Sequence, residues 1–319
     1  MQARMNRTHV WKRVAAIALL VVLGFGMAVM EAATEALAEE KATQITFDTP
    51  AVAGAALVQA AKDDDEMGLS GMLGLDTKTL LPSGNKDQDK ADLQAFAAKY
   101  TTMNRWLDMS DGTRVLYIGA DNFAFPVPLA RDSSGRWYFD SMAGAREIRA
   151  RDIGRNELLA IDASYALANA EQVYFAMHTH APVYAERIVS TKGKRDGLYW
   201  PVSAAQVPSP LAVLDDLAKS SLAPVVPDQP FVMDGYSFRI LTAQGDDAPG
   251  GARSYVSNGK LTGGFAVLAT PVKYAETGIM TFMVGPDGTV YEQDFGPDTA
   301  KIVAPILEFN PREDWSPVE

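Results

Sequence analysis

Two short stretches of the sequence concentrate side chains that could bind or transform a ligand. Residues 153–158 read IGRNEL, and residues 193–201 read GKRDGLYWP. Aromatic rings beside charged groups are typical of sugar-binding and peptide-binding surfaces. The candidate binding residues in these stretches are Arg155, Glu157, Arg195, Asp196, Tyr199 and Trp200.

The same residues also have a structural interpretation, which we favour. Tyr199 and Trp200 can fill the space between two sheets while the neighbouring charges stay in water. Arg155 and Glu157 can tie the start of a long helix to that loop. Catalysis by Glu157 and Asp196 would require both carboxylates in one cleft, with at least one shifted pKa. The two interpretations differ in the environment of Trp200: the structural interpretation predicts a buried side chain, and the binding interpretation predicts an exposed one.

A pair of histidines could bind a metal. His178 and His180 form an H-x-H pair, which in a strand could hold zinc from one side with Glu171 or Glu186 as a third ligand. The pair follows a predicted helix end, where polar side chains are common, and neither cysteine nor H-E-x-x-H accompanies it. We therefore expect no metal and no cofactor.

Two further motifs are weak. Residues 83–86 match the S-x-x-K of penicillin-recognising enzymes and residues 260–263 resemble their K-T-G, but the serine lies in a polar loop and the second motif has an extra residue. G-x-S-x-G, P-loop and G-x-G-x-x-G sequences are missing, so hydrolase-fold and nucleotide chemistry have no sequence support.

The N-terminus has the pattern of a secretory signal peptide. Four basic residues precede an apolar run, Val14–Met30, and an Ala-x-Ala triplet follows at Ala36–Ala38. This order predicts cleavage after Ala38. The alternative is an uncleaved membrane anchor, because the apolar run is close to the shortest length that spans a bilayer.

Charge and composition exclude some functions. Removing residues 1–38 lowers Lys+Arg from 29 to 25 and Asp+Glu from 40 to 38, so the mature chain carries about −13. Such a charge repels nucleic acid and anionic lipid, so we expect neither a nucleic-acid partner nor stable membrane insertion after cleavage. The chain has no cysteine, so its stability must come from a buried core.

The C-terminal part predicts a twisted antiparallel sheet. Runs rich in β-branched and aromatic residues are separated by Gly, Pro, Asn and Asp. The turn Gly285–Gly288 between two of these runs predicts a hairpin over Met280–Tyr291. The four predicted strands are Tyr236–Thr242, Gly264–Thr270, Gly278–Val284 and Thr289–Gln293.

The N-terminal part predicts helices followed by a second sheet. A helix starts at Phe47–Pro50, and an amphipathic helix over Asp92–Trp106 should lie on the sheet. This order resembles the cone-like α+β roll of nuclear-transport-factor-2-like domains, in element order only. The predicted strands are Thr113–Gly119, Phe123–Leu129 and Arg136–Asp140.

The middle of the chain predicts a long helix and a Pro-rich loop region. The helical pattern runs over Asn156–Met177 after a break at Gly154, and a short helix follows at Leu211–Ser220. A terminal helix, Asp298–Phe309, should kink or end early at Pro305.

These elements predict an α+β protein with two small antiparallel sheets joined by a long central helix. We divide the chain into a signal peptide (1–38), an N-terminal α+β region (39–142), a region of long helix and Pro-rich loop (143–232), and a C-terminal region of antiparallel sheet and terminal helix (233–319).

Several motifs resemble one family. They are Ile153–Leu158, Gly193–Pro201, Tyr236–Gly245, Ala248–Gly251, Gly263–Phe265, Met280–Phe282 and Asp294–Thr299. In this order they are similar to a bacterial exported family of unknown function, domain of unknown function 2950, over Phe47–Trp315. The resemblance implies a secreted or envelope protein and supplies no catalytic residues.

We therefore expect an exported protein, periplasmic or secreted, that acts as a non-enzymatic binding or structural module for an unknown envelope or extracellular partner. The alternative is a carboxylate-dependent hydrolase or carbohydrate-active enzyme.

Cleavage can be tested directly. Expressed in a Gram-negative host, the protein should accumulate in periplasm or medium with Glu39 at its N-terminus, as measured by mass spectrometry. An intact Met1 in the membrane fraction would show that Val14–Met30 is an anchor.

Overall fold

The computed structural model describes residues 45–76, 79, 85–201, 207–211 and 230–318, and the chain divides into two compact units, Met1–Ala145 and Arg146–Glu319. The predicted signal peptide, Ser83 of the S-x-x-K motif and all but the first residue of the predicted helix at 211–220 lie outside the described residues. The fold is α+β, with small antiparallel sheets and one long helix, as predicted.

Helices of the first unit begin where side chains can cap them. The helices are α1 (Pro50–Lys62), α2 (Glu66–Leu73) and α3 (Lys86–Thr102). Thr49 Oγ1 accepts a hydrogen bond from the Val52 N–H at 3.2 Å, and Asp65 accepts one from the Gly68 N–H at 2.9 Å. The Thr49 cap confirms the predicted start of α1, and the Asp65 cap begins α2.

The predicted bounds of α3 were wrong at both ends. The Asn85 side chain accepts hydrogen bonds from the backbone of Asp87 and Gln88, so the helix begins in a polar turn that has no apolar pattern. Its C-cap, Met103, has an extended backbone with φ of −160°, and a strand follows at once. The apolar stripe alone therefore placed the helix about one turn too late in the chain.

Five strands form the antiparallel sheet of the first unit. Its order is β1-β2-β4-β5, with β3 paired to β2. The predicted run 123–129 is two strands instead of one, because Pro126 and Pro128 cannot donate to a ladder. Sequence analysis missed β1. The strands are β1 (Asn104–Asp108), β2 (Arg114–Ile118), β3 (Phe123–Ala124), β4 (Leu129–Arg131) and β5 (Trp137–Phe139).

Helix α3 lies on this sheet, as predicted, and also against α1. The Phe96 and Phe125 rings lie 5.5 Å apart. A Cβ at Gly54 of α1 would come within 2.6 Å of the Tyr100 hydroxyl of α3, so the absence of a side chain permits this approach.

Helix α4 (Ser141–Met177) starts in the first unit and continues without interruption into the second. The predicted break at Gly154 was therefore wrong. One glycine costs a helix interior only about 1 kcal/mol, which the flanking turns can offset. No helix among the described residues has both the length and the apolar character needed to cross a membrane.

The second unit contains an antiparallel sheet of six strands in the order β16-β14-β13-β12-β7-β6. The predicted hairpin is confirmed: β13 pairs with β14, and the Gly288 N–H donates to the Gly285 carbonyl at 3.1 Å. The strands are β6 (Phe231–Met233), β7 (Tyr236–Leu241), β12 (Ala266–Pro271), β13 (Thr281–Val284), β14 (Val290–Gln293) and β16 (Ser316–Pro317).

The described residues of this unit also form two smaller sheets. One is a β10-β11 hairpin, and the other has the order β15-β8-β9, with β15 parallel to β8. The terminal helix ends before Pro305, as anticipated: a 3-10 turn at Gly296–Asp298 leads into α5 (Thr299–Val303). The short strands are β8 (Ala243–Gln244), β9 (Arg253–Ser254), β10 (Val256–Ser257), β11 (Lys260–Leu261) and β15 (Glu308–Phe309).

The core of the second unit contains Tyr199 and Trp200 together with one face of α4 and the central strands. Tyr199 is 7% exposed and Trp200 is 4% exposed, and the Trp200 indole N–H donates to the Val207 carbonyl at 3.3 Å. Burial of the indole matches the structural interpretation.

Replacing the buried indole should therefore destabilise the fold. Trp200→Ala should lower the free energy of unfolding by about 3–5 kcal/mol, through lost burial and a residual cavity. Leu158→Ala, at a side chain that is 66% exposed, is the control and should change it by about 0.5 kcal/mol or less. A drop of only a degree or so in the melting temperature of Trp200→Ala would contradict the structural interpretation.

Candidate functional site

The structure gives Glu157 a positioning role within the second unit. One carboxylate oxygen accepts hydrogen bonds from the backbone N–H groups of Ile279, at 2.8 Å, and Met280, at 3.0 Å. Its neighbour Asn156 donates to the Thr277 carbonyl at 3.0 Å. Arg155 is exposed and pairs with Asp152 one turn earlier. These residues fasten α4 to the segment that leads into β13.

Asp196 connects the candidate loop at residues 193–201 to Thr191. Its carboxylate accepts hydrogen bonds from the backbone N–H of Thr191 at 2.8 Å and from the Thr191 hydroxyl at 2.9 Å. Desolvation acts to raise the pKa of Asp196, but these hydrogen bonds and the nearby Arg187 outweigh it and lower the pKa overall. The carbonyl of Arg195 accepts a hydrogen bond from the Tyr174 hydroxyl of α4 at 2.9 Å, and the Arg195 guanidinium lies 5.6 Å from the centre of the Trp200 ring.

Backbone hydrogen bonds join the two sides of this loop. The Leu198 N–H donates to the Arg187 carbonyl, the Tyr199 N–H to the Ile188 carbonyl, and the Ser190 N–H to the Tyr199 carbonyl. Residues 187–190 are therefore fixed by the segment that carries the buried aromatic rings. The loop acts as a support for residues 187–189.

The predicted carboxylate pair, Glu157 and Asp196, is bound to two different backbone segments. The negative charge of Glu157 instead repels that of Glu292 in β14. Desolvation, and then repulsion from Glu157, raise the pKa of Glu292. This neighbour could not be found in the sequence, because it depends on the pairing of distant segments.

The histidine pair begins immediately after α4, at the place predicted. The His178 Nδ1 lies 2.8 Å from the Tyr174 carbonyl, and the two rings lie 4.4 Å apart. The exposed His180 contacts the Thr179 hydroxyl. Within the described part of the chain, no group of three or more His, Asp or Glu side chains could hold a metal ion.

A cavity of about 370 Å³ lies beside β7. Strand β6 begins at Phe231, opposite Phe238, and the preceding Pro230 lacks the N–H needed to extend the ladder. The edge of β7 beyond that pair is therefore uncovered by β6. We name this space the β7-edge cavity; it is lined by Glu186, Arg187, Ile188, Val189, Pro230, Phe231, Phe238, Arg239 and Ile240.

Arg239 is a half-buried residue among those that line the cavity, and its side chain projects from the face of β7 opposite Phe238 and Ile240. Its guanidinium donates to the Val303 carbonyl at 2.7 Å, and burial lowers its pKa. Among the residues that the structure describes, no carboxylate forms an ion pair with it. Sequence analysis missed this residue. The available signal was a basic residue within a strand of apolar and aromatic residues, YSFRIL.

Cavities also lie elsewhere among the described residues. One, of about 510 Å³, lies beside the C-terminal segment and is lined by Gln293, Phe295, Asn310 and Trp315 among others. In that cavity Gln293 donates to Asp314. Another, of about 270 Å³, lies in the first unit and is lined mainly by apolar residues, including Leu57, Leu93 and Phe96.

Glu171, named above only as a metal ligand, is the most unusual carboxyl group of the second unit. It is fully buried on α4, one oxygen accepts a hydrogen bond from the Ala185 N–H at 2.8 Å, and the other oxygen has no partner. Desolvation raises its pKa to about 8, although the bond from Ala185 acts against this. The group is therefore neutral in the folded protein at pH 7 and ties α4 to the segment just before the wall of the β7-edge cavity.

This raised pKa predicts a loss of stability at alkaline pH. The unfolded protein ionises Glu171 near pH 4.5, whereas the folded protein keeps it neutral up to about pH 8. Its contribution is complete below pH 4.5, falls by up to about 1.4 kcal/mol per pH unit and is lost above pH 8. Relative to Glu171→Gln, which retains an acceptor for Ala185, wild type should lose up to about 4 kcal/mol between pH 5 and pH 8.

Urea unfolding of both proteins from pH 5 to pH 9 measures this difference. Asp162→Asn, at an exposed carboxylate on the same helix, is the control and should follow wild type. Parallel curves for wild type and Glu171→Gln would show that the carboxyl is not held neutral.

Comparison with known proteins places the chain in a family. Neither a curated protein nor a solved structure matches it. The sequence model of one family, described as protein of unknown function (DUF2950), matches residues 44–318. This range includes every residue that the structure describes. The chain therefore belongs to the DUF2950 family of proteins of unknown function.

Proposed function

We propose that the protein is an exported, non-enzymatic binding module of the envelope or extracellular space, and that its binding site is the β7-edge cavity. The signal-peptide pattern at residues 1–38 and the acidic, cysteine-free composition support export without a nucleic-acid partner. The partner is an envelope or extracellular ligand.

One observation carries this proposal: a cavity of ligand size with aromatic and aliphatic residues in its walls. Small-molecule sites are typically clefts of about 300–1,000 Å³ with mostly apolar walls and a few well-placed polar groups. The β7-edge cavity, of about 370 Å³, has aromatic and aliphatic walls, and Glu186, Arg187 and Arg239 are also among its lining residues. Its wall at residues 187–189 is fixed by backbone hydrogen bonds, so the cavity is largely formed before a ligand arrives.

A carboxylate-dependent hydrolase or carbohydrate-active enzyme is the second candidate. The observation that favours it is the repulsion between Glu157 and Glu292, which contributes to the raised pKa of Glu292. The binding module has better support, because one oxygen of Glu157 already accepts two backbone hydrogen bonds in a positioning role.

Blocking the cavity should abolish binding. Ile240 lines the cavity, so Ile240→Trp should fill the space and displace any fragment bound there. Ligand-observed NMR with a small fragment library, on wild type and variant, measures this. Val232→Trp is the control, because Val232 is 45% exposed on the neighbouring strand β6 and does not line the cavity.

Fragments that bind wild type and the Val232→Trp variant, but not Ile240→Trp, would support the site. Equal melting temperatures of the two variants would show that both are folded. If every fragment that binds wild type also binds Ile240→Trp equally well, the β7-edge cavity is not the binding site.

A further inference from the structure

We infer that the protein has a second ligand site, the cavity of about 510 Å³ beside the C-terminal segment, and that it takes an organic cation: a primary ammonium group on an apolar stem. The inference goes beyond the proposed function, because this site shares no lining residue with the β7-edge cavity. We name the space the C-terminal cavity; it is lined by Met283 of β13, Gln293 of β14 and residues between 295 and 315.

Strands β13 and β14 form the base of the C-terminal cavity. Met283 pairs with Tyr291 in the antiparallel ladder. Gln293 lies two residues further along β14, so its side chain projects from the same face of the sheet as these two. The Tyr291 ring on this face lies 5.9 Å from the ring of Phe309 in β15. The cavity therefore lies between this face of the sheet and the C-terminal segment.

A hydrogen bond places the carboxylate of Asp314 at the wall of the cavity. The Gln293 amide N–H donates to Asp314 Oδ2 at 2.6 Å, and both residues line the cavity. The rings of Phe295 and Trp315, 5.6 Å apart, line it as well. Trp315 follows Asp314 directly, and Phe295 lies two residues after Gln293. One small molecule can therefore contact both the carboxylate and the rings.

The charges of the lining residues favour a cation. Glu308 and Asp314 are negative, and Arg312 is positive. The Arg312 guanidinium lies 3.8 Å from a carboxylate oxygen of Asp247, which does not line the cavity, so its charge is partly offset. Within the described part of the chain, neither Glu308 nor Asp314 forms an ion pair. The electrostatic potential of the cavity therefore attracts a positive group, on a chain that is acidic as a whole.

The Gln293 side chain supplies a second acceptor. Its amide oxygen is buried and has no hydrogen-bond donor among the described residues, while the amide N–H is directed at Asp314. A buried acceptor without a donor is unfavourable. The last torsion of a glutamine side chain is broad, so the amide can turn its oxygen towards the cavity. An ammonium group has three donors and can then bind both this oxygen and the Asp314 carboxylate.

Apolar side chains of the wall suit the stem of the ligand. Ile302 and Leu307 line the cavity and are 42% and 68% exposed. Covering such surface with a ring or an alkyl chain favours binding. No group of three or more acidic or histidine side chains that could hold a metal ion occurs among the residues that the structure describes. The ligand is therefore an amine with a ring or chain, rather than a metal ion.

Hydrogen bonds fix the C-terminal wall before any ligand binds. The Val303 carbonyl accepts from the Arg239 guanidinium at 2.7 Å and from the Ile306 N–H at 3.1 Å. The Trp315 N–H donates to the Arg312 carbonyl at 2.9 Å. A wall that is already ordered loses less conformational entropy on binding than a mobile one.

A pair of probes that differ in charge tests the inference. 2-Phenylethylamine, which is protonated at neutral pH, and the neutral 2-phenylethanol have nearly the same shape. In NMR titrations at low salt, the amine should bind at least about tenfold more tightly than the alcohol, and added NaCl should weaken only the amine. The indole N–H resonance of Trp315 should shift on addition of the amine, because this residue lines the cavity.

Matched variants assign the preference to one carboxylate. Asp314→Asn removes the charge, keeps an acceptor for Gln293 and should abolish the preference for the amine. Glu313→Gln is the control: it removes the same charge from the exposed neighbouring residue, which does not line the cavity, and should keep the preference. Leu307→Ala should weaken amine and alcohol alike, by about threefold or more, through lost apolar contact. Melting temperatures verify that each variant is folded.

The outcomes separate this inference from the proposed function. Ile240→Trp, which fills the β7-edge cavity, should leave amine binding unchanged. Loss of amine binding in that variant would place the amine in the β7-edge cavity and overturn this inference alone. Equal binding of amine and alcohol, or equal weakening of the amine by Asp314→Asn and Glu313→Gln, would also contradict it.

Failure of both probes to bind at about 10 mM would overturn the inference and leave the fragment test of the β7-edge cavity unaffected. Tighter binding of N-acetyl-lysine methylamide than of 2-phenylethylamine would support the inference and identify the ammonium group as that of a lysine side chain.

Discussion

The core packing of the second unit depends on the burial of the C-terminal half of α4. Its buried face consists largely of alanine, with Leu167 and Tyr174 as the larger members. Alanine lets a helix approach its neighbours closely, but each one buries little apolar area, at about 25 cal/mol per Å². A small-residue face of this kind can slide with little cost. Polar contacts at two points along the helix therefore fix its position.

The first contact is at Asn156 and Glu157, which bind the backbone that leads into β13. The second is Glu171, which holds the backbone of Ala185. A buried carboxyl with one unpartnered oxygen is costly, and burial keeps it neutral instead of leaving an unpaired charge in the core. The stability of the core is therefore coupled to pH through one side chain.

These contacts also explain where a ligand site can form. Glu171 holds Ala185, and the next residues, 186–189, are the wall of the β7-edge cavity. Tyr199 and Trp200 are buried, and the strand-like segment that carries them forms backbone hydrogen bonds with the other side of the same wall. The residues that look most like a binding surface in the sequence therefore build the support for a cavity that is lined by different residues.

The sequence by itself determined the α+β class, the family, the capped start of α1 and the hairpin of β13 and β14. Each depends on local features: a capping side chain, a Gly-Pro-Asp-Gly turn, or motifs in a fixed order. The sequence placed both ends of α3 incorrectly, because an apolar stripe does not indicate a polar first turn. It also predicted a break in α4 at Gly154, although a single glycine is only a weak helix breaker. Tertiary structure decided the rest. Burial of Trp200, the hydrogen bond from Arg239 to Val303 and the neutral Glu171 all arise from segments distant in sequence, and solvent exclusion by such segments has no local signal.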